Sequence, residues 1–144
     1  MELIAKRFAD LTGREVYESA KARTAVFLLE QHIVCQDFDD VDYDALHCFF
    51  TENGLVTAYL RAYREGEDGA VKIGRVLTRE HGKGLGRELM EKSTEAIRRE
   101  LPCRKLTVNA QKQALGFYEK LGFTVTSGEF LEEGVVHLAM EKVV

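Results

Sequence analysis

Proline is nearly missing from this chain. Pro102 is the single one, and no Ser/Gly-rich stretch marks a linker, so residues 1–144 read as one domain. Tryptophan is absent, and the three cysteines, Cys35, Cys48 and Cys103, are odd in number and lack CxxC spacing. That speaks against a disulfide framework and against a zinc site. No apolar run approaches the roughly 20 residues that span a bilayer. The first residues, Met1-Glu2-Leu3-Ile4-Ala5-Lys6-Arg7, also lack the apolar stretch of a secretory signal, so a cytoplasmic location with no membrane partner is expected. A basic excess is missing as well: 24 acidic side chains face 20 basic ones for a net charge of −4, the wrong footprint for a nucleic-acid partner. Calcium fits poorly, because an EF-hand frame begun at Asp40 puts Ala45 at the sharp-turn glycine and Thr51 at the bidentate glutamate. No metal is expected.

What is present is an alternation of helical and extended patterns. Residues 2–8 read as a strand. From Thr12, a fitting N-cap, to about Glu30, Val16, Ala20, Val26, Phe27 and Leu29 give an imperfect helical stripe. The acids Asp37, Asp39, Asp40, Asp42 and Asp44 favour local backbone bonds, so 36–44 reads as a loop. Such a loop is ordinarily just solvated, although it also suits steering of a cationic partner. Strands are expected over 45–50 and 55–63 around a Glu52-Asn53-Gly54 turn, and again over 71–78 after a turn from Glu65 to Gly69. A helix over 84–100 carries Leu85, Leu89, Ala96 and Ile97 on one stripe and stops before Pro102. A strand over 105–108, a helix over 112–121 and strands over 124–126 and 135–140 complete the order β-α-β-β-β-α-β-α-β-β. This predicts an α/β sandwich, a mixed and mainly antiparallel sheet with helices on both faces.

Between the third strand of the run and the long helix lies His81-Gly82-Lys83-Gly84-Leu85-Gly86-Arg87. Glycines there let the backbone approach a phosphate closely, and amides and dipole at a helix start favour an anion, with Lys83 and Arg87 adding charge. The same glycines also suit a plain tight turn. Two other phosphate motifs fail on spacing. A GxGxxG fingerprint needs glycine where Arg87 or Leu89 stands, and a P-loop needs GxxxxGK followed by Ser or Thr, whereas Gly82-Lys83 is preceded by Leu77 and followed by Gly84.

The stretch from Arg75-Val76-Leu77-Thr78 into His81–Arg87 resembles the acetyl-CoA-binding motif of the GNAT N-acetyltransferase superfamily, Gln/Arg-x-x-Gly-x-Gly/Ala at a strand-to-helix junction. In the preferred register His81 stands at the Gln/Arg position; Arg79-x-x-Gly82-x-Gly84 is a second formal match. A further segment, Asn109 to Phe123, is similar to the family's other signature: Gln111 stands where Asn is more common, followed by Ala114, Tyr118 and Gly122-Phe123. Arg23 to Gln31 with Gln36, Asp37 and Asp42, and Glu129 to Met140, resemble the ElaA-like branch, so the likeness covers nearly the whole chain. The departures are a short loop before Gly82 and His81 within it.

The resemblance implies a GNAT-like fold and an acetyl-CoA co-substrate. Its pyrophosphate would lie on the backbone of His81, Gly82, Lys83, Gly84, Leu85, Gly86 and Arg87. Its pantetheine arm would follow the amides near Val76, Leu77 and Thr78, with Asn109 and Gln111 as further partners. Tyr118 is the candidate general acid, since a phenol near pKa 10 donates a proton to a departing thiolate; as an isolated aromatic on an amphipathic helix it also suits the core. The acceptor amine must lose a proton, for which Glu30 and His137 are the candidates and His47 a third. Each has a plain structural alternative, a pairing glutamate or a packed histidine. The expected activity is N-acetyl transfer by direct attack of a primary amine, on a small molecule or a peptide, in a ternary complex. The alternatives are a non-catalytic acyl-CoA-binding or partner-binding module and a nucleotide-binding protein. A homodimer is compatible with the chain.

Overall fold

A computed structural model describes residues 1–66 and 68–144. The expected turn from Glu65 to Gly69 includes position 67, which lies outside the described residues. Among the described residues, eight strands form a single open sheet: β1 (Ile4–Arg7), β2 (Leu46–Glu52), β3 (Leu55–Arg64), β4 (Ala70–Thr78), β5 (Lys105–Gln111), β6 (Thr124–Val125), β7 (Phe130–Glu132) and β8 (Val135–Val143). Their order is β1-β2-β3-β4-β5-β8-β6, with β7 also on β8. Every pairing is antiparallel except β4 with β5.

The first helix starts where the sequence says it should. Thr12 accepts the Glu15 amide and Glu15 accepts the Thr12 amide, a complete capping box for α1 (Gly13–Arg23). The chain then widens into a π-helical segment, Thr24–Glu30, which puts Val26 in the core and leaves Leu29 67% exposed. The uneven stripe along 12–30 is the trace of that change of pitch. The acidic segment contains one helical turn, α2 (Val41–Asp44), where a loop was expected.

β2 and β3 are joined by Asn53 and Gly54, both at positive φ (53° and 79°), the pattern of a two-residue hairpin turn. Alternation along these strands feeds two cores. Leu46, Cys48, Phe50, Ala58, Leu60 and Ala62 pack with Leu89, Met90, Ala96 and Ile97 of α3 (Leu85–Glu100), and with Tyr118 of α4 (Leu115–Lys120). Phe49, Val56, Tyr59 and Leu77 meet Ala22 and Val26 on the other face. Helices therefore cover both faces, with all of these side chains under one-tenth exposed.

Two features were not expected. The hairpin β7–β8, turning through Glu133 (φ 51°) and Gly134 (φ 74°), extends the sheet where only residues 135–140 read as a strand. β4 is irregular as well: Tyr59 pairs with Leu77 and Arg61 with Gly74, so two steps along β3 match three along β4. The additional residue makes a bulge in which Arg75 takes a φ of 53°, unusual for a non-glycine.

Candidate active site

The bulge has a direct consequence for the parallel pair. β4 and β5 are in register from Ala70↔Lys105 to Ile73↔Val108 and no further, although β4 runs on to Thr78 and β5 to Gln111. Beyond Ile73 the two strands splay. A cleft of about 460 Å³ opens there, lined by Gly74, Arg75 and Val76 of β4, Val108, Asn109 and Gln111 of β5, Tyr118 of α4, and His137 and Glu132 from the last hairpin. Phe27, Ile33, Cys35, Asp37, Asp39 and Val41 form the facing wall.

At the C-terminal end of β4 the chain turns through the glycine loop into α3. Gly82 and Gly84 both lie in the left-handed region (φ 79° and 72°), and Gly84 is the N-cap, with no side chain bonded to the helix start. The first bond of this turn runs from the Glu88 amide to the Gly84 carbonyl, so the amides of Leu85, Gly86 and Arg87 have no acceptor within the helix. A Cβ at Gly82 or Gly84 would meet nothing within 4 Å, so the space over the loop is open. Gly86 serves another purpose: a Cβ there would come within 3.2 Å of Phe117, which seats α3 closely on α4. The N-terminus of a 16-residue helix, open space and positive φ together suit an anionic diphosphate. The splayed strand edges leading away from it suit an extended amide-bearing arm.

Tyr118 is 7% exposed and sits edge-on between Phe117 and Phe123. Burial alone pushes its phenol well above the ordinary value, so the group stays protonated throughout the neutral range. The residue belongs to the core and also lines the cleft.

The candidate bases are placed differently from one another. His137 lines the cleft and is 6% exposed; its Nδ1–H donates to the Val135 carbonyl at 2.7 Å, its ring stacks on Phe130, and Nε2 lies 3.5 Å from Glu132 Oε2. Glu30 stands outside the cleft lining, at the end of the π-helical segment, with Oε1 2.8 Å from Nε2 of His81. Next to it, Gln111 donates to Gln31 at 3.0 Å. His47 is buried away from the cleft, its Nε2–H donating to the Asp42 carbonyl at 2.8 Å while Nδ1 accepts from the Tyr59 hydroxyl at 2.7 Å. Burial holds its pKa below the ordinary histidine value, against the pull of Asp42. Arg79, the other formal motif position, lines a shallow pocket beside Tyr17, Ala20 and Leu29.

Sequence reasoning missed how the acidic loop is neutralised. Arg23 and Arg61, each 3% exposed, lie beneath it. Arg23 reaches Asp37 at 3.0 Å and Asp42 at 2.9 Å; Arg61 reaches Asp39 at 2.6 Å and Asp42 at 3.0 Å. Arg75 Nε lies 2.7 Å from Asp37, close enough for an ion pair though off the line of a hydrogen bond. The bond from Arg61 holds the Asp39 carboxyl below its ordinary pKa, more than offsetting burial. Three of the five aspartates therefore brace the cleft wall; they are neither simply solvated nor free to hold a cation. Spacing alone shows none of this, because Arg23, Arg61 and Arg75 are far apart in sequence. No group of three or more potential metal ligands occurs among the described residues. No helix among them is long and apolar enough to cross a membrane.

Known proteins agree with this geometry. A family model described as "Acetyltransferase (GNAT) domain" matches residues 14–144. A UPF0039 protein of Schizosaccharomyces pombe is 33% identical over 97% of this chain and 95% of its own length. Protein ElaA of Escherichia coli is 30% identical over 93% and 91%. Its crystal structure superposes with a TM-score of 0.90, covering 98% of both chains. The crystal structure of an acyl-CoA N-acyltransferase from Pseudomonas aeruginosa also gives 0.90, at 32% identity and 99% coverage of both. The open, mostly antiparallel sheet with its flanking helices is thus an acyltransferase fold, and the chain belongs to the GNAT acetyltransferase family, in its ElaA-like branch.

Proposed function

We propose that this protein is an acetyl-CoA-dependent N-acyltransferase that moves an acetyl group to a primary amine by direct attack in a ternary complex. The observations that carry this reading are the open left-handed turn at Gly82 and Gly84 on the β4–α3 junction and the cleft where β4 and β5 part, which Tyr118 lines.

The residues present fit the co-substrate. The amides of Leu85, Gly86 and Arg87 and the backbone of His81 to Gly84 would hold its pyrophosphate; Lys83 and Arg87 stand nearby at the surface, paired with Glu80 and Glu91. Backbone groups of Val76, Leu77 and Thr78, with Asn109 and Gln111 opposite, would hold the arm and present a polarised carbonyl. The bound thioester supplies an activated acyl group. Tyr118 gives its proton to the departing sulfur, and its buried environment keeps that proton in place until it is needed. His137 takes the proton of the incoming ammonium, because it lines the cleft and has its Nδ1–H committed to Val135. Glu30, engaged at the rim with His81, is better placed to steady the glycine loop.

The test is release of free CoA thiol from acetyl-CoA in the presence of a panel of small amines, amino sugars and peptides. Amine-dependent thiol release with formation of the N-acetyl product is expected. Binding of acetyl-CoA without turnover of any amine would favour a non-catalytic binding module instead.

A further inference from the structure

The charges around the cleft are unevenly satisfied. On one wall Arg23, Arg61 and Arg75 balance Asp37, Asp39 and Asp42. The carboxylates lining the cleft without an arginine stand at the β7–β8 turn. Glu132 accepts from Asn109 Nδ2 at 3.3 Å and faces His137, while Glu133 makes no ion pair among the described residues. Glu133 is close enough to act on the Cys35 thiol, helping to raise its pKa after burial, so the hairpin tip stands across the cleft from the 27–41 wall. The same cleft holds an imidazole aimed at that turn: His137 Nδ1–H is taken by Val135, and Nε2, on a side chain that is 6% exposed, has Glu132 Oε2 at 3.5 Å as its polar neighbour.

Resting on the acyltransferase reading above, we propose that the acceptor is a primary amine with one positive charge on an apolar body. Its ammonium is held at the Glu132–Glu133 turn beside His137 Nε2, and its body lies against Phe27, Ile33 and Val41. Two carboxylates and one histidine define the charge. Glu133 compensates the ammonium, and Glu132 compensates the imidazolium that forms when His137 takes its proton. A second cationic centre on the same molecule would find no unpaired carboxylate elsewhere among the described residues of the cleft lining, because Asp37 and Asp39 are already held by Arg23, Arg61 and Arg75. Phe27, Ile33 and Val41 give this wall hydrocarbon surface, and the carboxylates among them, Asp37 and Asp39, are already engaged by arginines.

The protons balance. One passes from the ammonium to His137 Nε2. The nitrogen lone pair then forms the C–N bond as the C–S bond breaks. The second N–H proton leaves as the amide forms and replaces the one Tyr118 gives to sulfur. His137 returns its proton to solvent, for one thiol and one proton per amide.

The experiment measures kcat/KM with acetyl-CoA against n-hexylamine, phenethylamine and spermidine, together with acetyl-CoA affinity by titration calorimetry. The monoamines are expected to exceed spermidine by at least about tenfold. Glu133→Gln is expected to raise the hexylamine KM by about tenfold with acetyl-CoA affinity unchanged, and Glu132→Gln to lower kcat. Both positions are exposed, so neither change threatens the fold. Bound acetyl-CoA with spermidine the equal or better acceptor, with no monoamine turned over, or with an unaltered KM in Glu133→Gln, overturns this inference alone. Failure to bind acetyl-CoA overturns the acyltransferase reading, and this inference with it.

Discussion

At Tyr118 the packing of the ring bears directly on the acid role proposed for its hydroxyl. Its ring is fixed by Phe117 and Phe123, and the burial that fixes it also raises its pKa. Tyr118→Phe keeps the ring and removes only the proton. Stopped-time thiol assays should show kcat lowered about 10²- to 10⁴-fold, with acetyl-CoA affinity unchanged within about twofold. An unaltered kcat would remove the acid role. His47, in contrast, is a structural histidine. Its folded-state pKa lies below the unfolded value of 6.5 because of burial, so its neutral form contributes stability that is complete above that pH and is lost as pH falls below it. Asp39 is also depressed, from 3.8, and its contribution is lost only at lower pH. The melting temperature should therefore decline between about pH 6.5 and 4.5. The decline should be shallower in His47→Gln, which is read by melting curves across that range; parallel curves would assign the slope to other groups.

Among the elements, β4 decides where the cleft lies. Its bulge at Arg75 parts it from β5, and the parted edge leads into the glycine turn. Arg61, on β3, ties that region to the acidic segment through Asp39 and Asp42 while 97% of its surface is covered (3% exposed). Removing it alone leaves Asp42 to Arg23 and leaves Asp39 with only the longer 3.6 Å contact to Arg75. Arg61→Met should destabilise the fold by about 3–5 kcal/mol in chemical denaturation, the magnitude for breaking a buried pair from one side. A loss below about 1 kcal/mol, typical of a surface pair, would show that solvent already screens the network. What was legible in the sequence here was local. Thr12 with Glu15, Asn53-Gly54 and the three alternating glycines each announce their structure within a few residues. The π-helical pitch after Arg23 appeared only as an imperfect stripe. The Arg75 bulge carries no signal of its own, since glycine stands at position 74 and not at 75. The β7 strand was hidden by Glu132 and Glu133, whose charges mask a hairpin that the Glu-Gly turn and the pairing with Val135 to His137 make plain.

At the scale of the whole molecule, the sheet joins two half-sites that are remote in sequence. The glycine turn comes from the β4–α3 junction, whereas Tyr118 and His137 arrive from α4 and β8. The glycine turn and the Tyr118 segment each carry their own motif in the sequence, whereas the proposed acceptor side carries none. Its residues, Glu132, Glu133 and His137 facing Phe27, Ile33 and Val41, come together through topology and not through spacing. The account stands or falls on the co-substrate reaching the glycine turn. Titration calorimetry of CoA with the wild type and with Gly84→Val tests this directly. Valine at Gly84 must occupy a φ near 72°, disfavoured for a β-branched residue, and fills the space over the helix start. One CoA per chain in the wild type and at least about tenfold weaker binding in Gly84→Val, with the fold retained by circular dichroism, is the predicted result. Equal affinity in the two proteins, or no binding in either, would contradict it.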